Sequence, residues 1–120
     1  HFSSSINGPI TLFDWDQASD CLRGASMVVN TTVLGMSGQP PMKIDLSFLS
    51  ANALVADIVY TPLITPLLEQ AKNRGLKTVD GLGMLLYQAV LGFEGWFGHK
   101  PDVTESLRDH ILVKLAIRNG

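Results

Sequence analysis

The residues best suited to chemistry stand in three clusters, each at the end of a short apolar run. They are Asn30-Thr31-Thr32 with Gly35 and Met36, then Tyr60-Thr61-Pro62, then Asp80-Gly81-Leu82-Gly83-Met84. In open parallel sheets ligands bind beyond the carboxyl ends of the strands, so clusters at those ends face one crevice. The third cluster runs into a helical pattern in which Met84 and Gln88 lie four residues apart and share a face. At 1.5 Å per residue, the stripe from Gly81 to Gln88 spans on the order of 10 Å. That is enough to pass from a planar ring over Met84 to a polar ligand at Gln88. Gln88 stands alone among Leu85, Leu86, Ala89, Val90 and Leu91. A buried amide needs partners or costs several kcal/mol. It is either satisfied by backbone or water inside the core, or turned toward a ligand.

Each of these residues also has a plainer reading. Met84 alone is core packing more often than a cofactor platform. Thr31 and Thr32 can make local turn bonds at a strand end. Tyr60 is a strand-end aromatic whose hydroxyl reaches water or a ligand. Asp57, inside an apolar run, reads as a structural acceptor of backbone N–H bonds rather than as a base. There is no GxGxxG or Walker loop, no nucleophile elbow and no cysteine–histidine pair at suggestive spacing. His1, His99 and His110 lack partners at ligand spacing beyond Asp109-His110, so no metal site is expected. Cys21 has only Arg23 as a basic neighbour and reads as a packed, inert thiol.

The elements that must position these clusters alternate along the chain. Apolar runs at Ser26–Asn30, Leu54–Tyr60 and Leu76–Val79 predict strands, with a weaker one at Ile10–Phe13. Their near-continuous apolarity predicts burial on both faces, as in a parallel sheet covered by helices. Asp14–Leu22 predicts a short helix stopped by Gly24. Ser37–Lys43 is a Gly/Pro loop that leads to a helical turn near Leu46–Leu49. Thr65-Pro66 opens a helix with threonine as cap and proline at the first position, and Asn73-Arg74-Gly75 closes it. Asp80 caps a helix over Leu82–Phe97. Asp102, with Glu105 three residues on, predicts the start of a last helix that runs to about Ile117 with Leu107, Ile111, Leu112 and Leu115 on its apolar face. The order is β-α-β-α-β, that of a doubly wound sheet, followed by two helices.

Composition narrows the partners. With 46% hydrophobic and 17% charged residues the chain is globular rather than disordered. A net charge of −2 gives no reason to expect nucleic acid or an anionic membrane. No apolar run is long enough to span a bilayer. A single cysteine cannot form an internal disulfide, which makes a reducing cytoplasm the natural compartment. The chain opens His1-Phe2-Ser3 without a methionine, and it reads as starting within a longer protein.

Together the clusters resemble the shikimate dehydrogenase family, over about residues 27–110. The residues that carry the likeness are Val28-Val29-Asn30-Thr31-Thr32-x-x-Gly35-Met36, Asp57-Ile58-Val59-Tyr60-x-Pro62-x-x-Thr65-Pro66-Leu67-Leu68, Asp80-Gly81-Leu82-Gly83-Met84-Leu85-x-x-Gln88-Ala89, and Phe93-x-x-Trp96-x-Gly98-x-x-Pro101. The resemblance implies an α/β fold: the C-terminal half of a Rossmann-like parallel sheet with covering helices, followed by two C-terminal helices. Residues 1–120 would then be the C-terminal part of a nicotinamide-dinucleotide-binding domain, alternating over 1–80 and closed by helices over 81–120. It implies that Thr31, Thr32, Ile58, Gly81 and Met84 lie at the cofactor, NADP, and that Tyr60 and Gln88 contact shikimate or 3-dehydroshikimate. Ile58 stands where relatives often carry methionine and keeps only the apolar contact. The family's catalytic lysine and aspartate belong to an N-terminal domain, which the resemblance makes a partner of these residues; Lys43, Lys72, Asp57 and Asp80 sit in no matching motif. A quinate/shikimate paralogue, a non-catalytic fragment or interaction module, and a homodimer all stay open. The 120 residues alone are expected to show no oxidation of shikimate with NADP. Turnover by this piece would contradict the placing of its catalytic pair elsewhere.

Overall fold

The computed structural model describes residues 8–119; His1 to Ser3, with the rest of the first seven residues, lie outside them. Three strands form one sheet in the order β1 (Met27–Asn30), β2 (Leu54–Asp57), β3 (Lys77–Val79). All pair in parallel, with Val28 beside Val55 and Val55 beside Thr78. The crossover from β1 to β2 carries only a single 3-10 turn, Leu46–Phe48, whereas that from β2 to β3 carries helix α1 (Pro66–Asn73). Helices α2 (Gly81–Phe97) and α3 (Glu105–Asn119) follow the last strand.

One face of the sheet is packed. Val55 meets Leu67, Leu68 and Ala71 of α1, with Leu22, Leu46, Leu49 and Leu76 completing a buried cluster. The opposite face differs from the expectation of two covered faces: Met27, Val29 and Val79 stay exposed there. The strands are apolar enough to be covered twice, but α1 and the Leu46–Phe48 turn lie on one side only. On β2 burial alternates as in a half-covered strand.

Local chemistry sets the ends of the elements. Thr65 Oγ1 accepts the N–H of Leu68 and Pro66 takes the first helical position, so α1 begins where its sequence predicts. Its last turn closes through Gly75, at φ 72°, with Leu76 N–H donating to the Ala71 carbonyl. Asp80 Oδ1 accepts the Leu82 N–H at 3.1 Å and starts α2, which ends on Gly98 in the left-handed conformation. At the 3-10 turn, the Ser47 backbone N–H and hydroxyl both donate to Asp45. They hold that carboxyl below the ordinary carboxylate range, and Arg74 adds a smaller pull.

Four sequence expectations are corrected. Ile10–Phe13 is not a strand: it pairs with nothing in the sheet, and Ile10, Leu12 and Phe13 are exposed. Asp14–Leu22 folds as two 3-10 turns, Trp15–Gln17 and Asp20–Leu22, of which only Leu22 is buried in the core. The second strand stops at Asp57 rather than Tyr60, since the Asp57 side chain accepts the Val59 N–H and turns the backbone out of the ladder. Helix α3 is capped by Thr104, whose Oγ1 accepts the Leu107 N–H, and not by Asp102. With that start, its first turn brings Arg108 to Asp80 at 2.7 Å.

Gly81 is where the tertiary fold is least forgiving. A Cβ on it would run into the Ile58 carbonyl, with the carbonyl carbon at 2.5 Å and the Val59 oxygen at 2.6 Å. Gly83, two residues on, has open space around its Cβ position. Gly81→Ala is therefore expected to lower the melting temperature of the whole protein by the equivalent of about 1–3 kcal/mol. Gly83→Ala should be neutral or stabilising by up to about 1 kcal/mol, through helix propensity. Equal effects in thermal melts would contradict the close packing of α2 on the end of β2.

Candidate functional site

The carboxyl ends of β1 and β2 are polar for a reason visible in their hydrogen bonds. Asn30 and Asp57, the last residues of the two strands, are paired across the ladder, and each is only 2% exposed. Asn30 Nδ2 donates to Asp57 Oδ1 at 3.0 Å and to the Leu34 carbonyl at 3.0 Å. The Asn30 Oδ1 accepts both the backbone N–H of Thr32, at 3.0 Å, and its hydroxyl, at 2.7 Å. Asp57 Oδ1 also accepts the Val59 N–H at 2.9 Å, and Oδ2 accepts the hydroxyl of fully buried Thr65 at 2.6 Å. Every donor faces an acceptor, as burial requires. Asp57 is thus a structural acceptor as its sequence suggests, but two of its three donors are side chains.

Next to this network lies an open cavity of about 200 Å³ between the two strand ends, lined by Thr32, Val33, Met36, Ile58, Val59, Tyr60 and Thr61. It brings together Thr32 and Tyr60, which end two apolar runs in the sequence, and Ile58, which the family resemblance singles out. Thr31 is exposed on the same turn but does not line the cavity. Gly81 sits behind one wall, pressed on the backbone of Ile58 and Val59. Met84 is 43% exposed, one turn along α2. A larger apolar cavity, about 310 Å³, lies between Phe13, Trp15 and β1; none of the candidate site residues lines it.

Gln88 requires a correction. It is exposed, and so are its neighbours Tyr87, Ala89 and Leu91, the last 73% exposed. The cost of a buried amide therefore does not arise in this chain. Its physical reason is that α2 buries only Gly81, Leu82 and Val90, leaving the rest of its apolar surface uncovered. The predicted stripe survives: Met84 and Gln88 are both on the open side of the helix.

Sequence reasoning missed Asn30 as the hub of the network, and Arg108. An asparagine closing one apolar run, with an aspartate inside the next, was the available signal for the first. Arg108 had none, since its partner Asp80 lies 28 residues away. That ion pair, at 2.7 Å with both side chains partly exposed, is worth about 0–1 kcal/mol. Its consequence is positional: it ties α3 to the capping residue of α2.

A family model described as the Shikimate 5'-dehydrogenase C-terminal domain matches residues 81–107. A shikimate dehydrogenase (NADP(+)) of Azorhizobium caulinodans is 60% identical over 104 residues, which cover 87% of this chain and 37% of that protein. Among solved structures, a quinate dehydrogenase from Corynebacterium glutamicum in complex with NAD superposes with a TM-score of 0.75 at 37% identity, over 84% of this chain and 36% of that one. A shikimate 5-dehydrogenase from Thermus thermophilus, solved with NADP(H) and shikimate, gives 0.61 at 32% identity, over 75% and 33%. The chain thus spans about a third of the length of the relatives that it matches.

Proposed function

From a chain that matches the C-terminal part of the shikimate dehydrogenase family, we propose that the whole protein catalyses the reversible, NADP-dependent reduction of 3-dehydroshikimate to shikimate in aromatic amino-acid biosynthesis. Residues 1–120 serve as the C-terminal part of its nicotinamide-dinucleotide-binding domain, with the three-stranded sheet and α1 followed by the closing helices α2 and α3. The reading places the enzyme in the cytoplasm, in keeping with a single cysteine that has no internal disulfide partner.

The observation that carries it is the meeting of Thr32, Ile58 and Tyr60 in one cavity at parallel strand ends. About 200 Å³ is below the roughly 300–1,000 Å³ of a whole-ligand pocket, so the cavity suits one end of a dinucleotide. Its Ile58, Val33 and Met36 walls suit a planar ring, and Thr32 and Thr61 add polar residues to the lining. Thr31, Thr32, Ile58, Gly81 and Met84 are the residues that would hold NADP; bound there, the cofactor supplies the hydride. Gly81 would offer backbone beside the Ile58 wall, and the exposed Met84 side chain would pack along the ring. Tyr60, in the lining of the cavity, and the exposed amide of Gln88 would hold the hydroxyls of the substrate. The lysine and aspartate that move the proton belong to the N-terminal domain of the whole protein.

A quinate dehydrogenase is the second reading, favoured by the superposition at a TM-score of 0.75. Steady-state assays of the whole protein with shikimate and quinate, each against NADP and NAD, separate the two. The proposal expects the highest kcat/KM for shikimate with NADP; preference for quinate with NAD would select the alternative. Gln88→Ala should raise the KM or lower the kcat for shikimate about ten-fold, the cost of one or two lost hydrogen bonds, with cofactor affinity little changed. Unchanged shikimate kinetics would remove Gln88 from the site.

A further inference from the structure

Two backbone bonds join the cavity walls, Ile58 N–H to the Asn30 carbonyl at 3.1 Å and Ser37 N–H to the Thr61 carbonyl at 2.8 Å, and the side-chain bonds between them converge on one atom. Asp57 Oδ1 accepts the Val59 N–H at 2.9 Å and so sets the turn that carries Ile58, Val59 and Tyr60. The same oxygen accepts Asn30 Nδ2 at 3.0 Å, and Asn30 in turn holds the backbone and hydroxyl of Thr32 on the opposite wall. Asp57 itself does not line the cavity. Its other oxygen is taken by Thr65, the cap of α1, which has no contact with either wall in this network. A carboxylate that accepts from three donors in the interior has no freedom to turn, so its position is transmitted to both walls.

We infer that Asp57 is a positioning residue for the nicotinamide cleft: it acts through Asn30 and Val59 to fix Thr32 against Ile58 and Tyr60. The inference rests on the proposed cofactor site, but the hydrogen bonds it invokes can be tested apart from activity.

The test uses the whole protein with Asp57→Ala, Asp57→Asn and Thr65→Val. It reads the KM for NADP, the melting temperature, and hydrogen exchange at the Thr32 and Val59 amides. Asp57→Ala should raise the KM for NADP about ten-fold, the equivalent of one buried bond lost, and speed exchange at both amides. Asp57→Asn keeps an acceptor oxygen for Val59 and Asn30 and should bring the KM back to within about two-fold of wild type. Thr65→Val should lower the melting temperature by losing the α1 cap while leaving the KM for NADP within about two-fold. If KM instead follows melting temperature across all three variants, Asp57 acts on stability alone and the inference is overturned. Unchanged exchange at Thr32 and Val59 in Asp57→Ala would overturn it as well. Should Asp57→Ala fail to fold, Asn30→Ser takes its place: exchange should rise at Thr32 but not at Val59, and KM should rise with it. A change at neither would sink the inference. If wild-type protein does not bind NADP, the proposed function fails, and the exchange pattern alone then decides the positioning role.

Discussion

A carboxylate withdrawn from water at the end of a central strand must be met by donors on every side, or it destabilises the fold by several kcal/mol. Asp57 meets that demand with Asn30 from the neighbouring strand, the Val59 backbone from its own, and Thr65 from the helix that follows. Each donor belongs to a different piece of the fold. The bond to Asn30 locks the carboxyl ends of β1 and β2, that to Val59 ends the strand and starts the cavity wall, and that to Thr65 docks the start of α1. Stability and site geometry are therefore fixed by the same group. An apolar residue in its place would satisfy burial but would leave the Val59 N–H and the Asn30 amide without their shared acceptor.

How much of this could be read in the sequence depended on whether the signal was local. The Thr65-Pro66 start and Gly75 end of α1, and the Asp80 cap of α2, are encoded within a few residues, and each forms where expected. The polar strand ends were equally legible, which is why Thr32 and Tyr60 could be singled out before their cavity was seen, whereas Ile58 came only from the family resemblance. What depends on distant partners was not legible. Asn30 stood in the sequence only as the end of an apolar run, yet its decisive acceptor is 27 residues away. Gln88 looked buried because its neighbours are apolar, but apolarity records what a helix can cover, not what covers it. Asp102 stood at cap spacing before Glu105, but the cap bond is made by Thr104, whose Oγ1 accepts the Leu107 N–H.

The same distinction explains the exposed apolar surface. Met27, Val29 and Val79 on the open sheet face, and Tyr87, Leu91 and Trp96 on α2, are residue types that usually lie inside. Their sequence calls for a two-sided sheet, and within the described residues only one side is built. Among those residues no helix is long and apolar enough to cross a membrane. The uncovered rows are thus half-satisfied packing faces, in a chain that spans 37% of the Azorhizobium relative's length.

A crystal structure of the whole protein with NADP and shikimate tests the central claim most directly. The account predicts the nicotinamide end of the cofactor in the cavity beside Thr32 and Ile58, with Gly81 and Met84 along it, and shikimate within hydrogen-bond reach of Tyr60 and Gln88. A dinucleotide seated elsewhere, such as in the apolar cavity beside Phe13 and Trp15, with the Thr32–Tyr60 cleft empty, would contradict it.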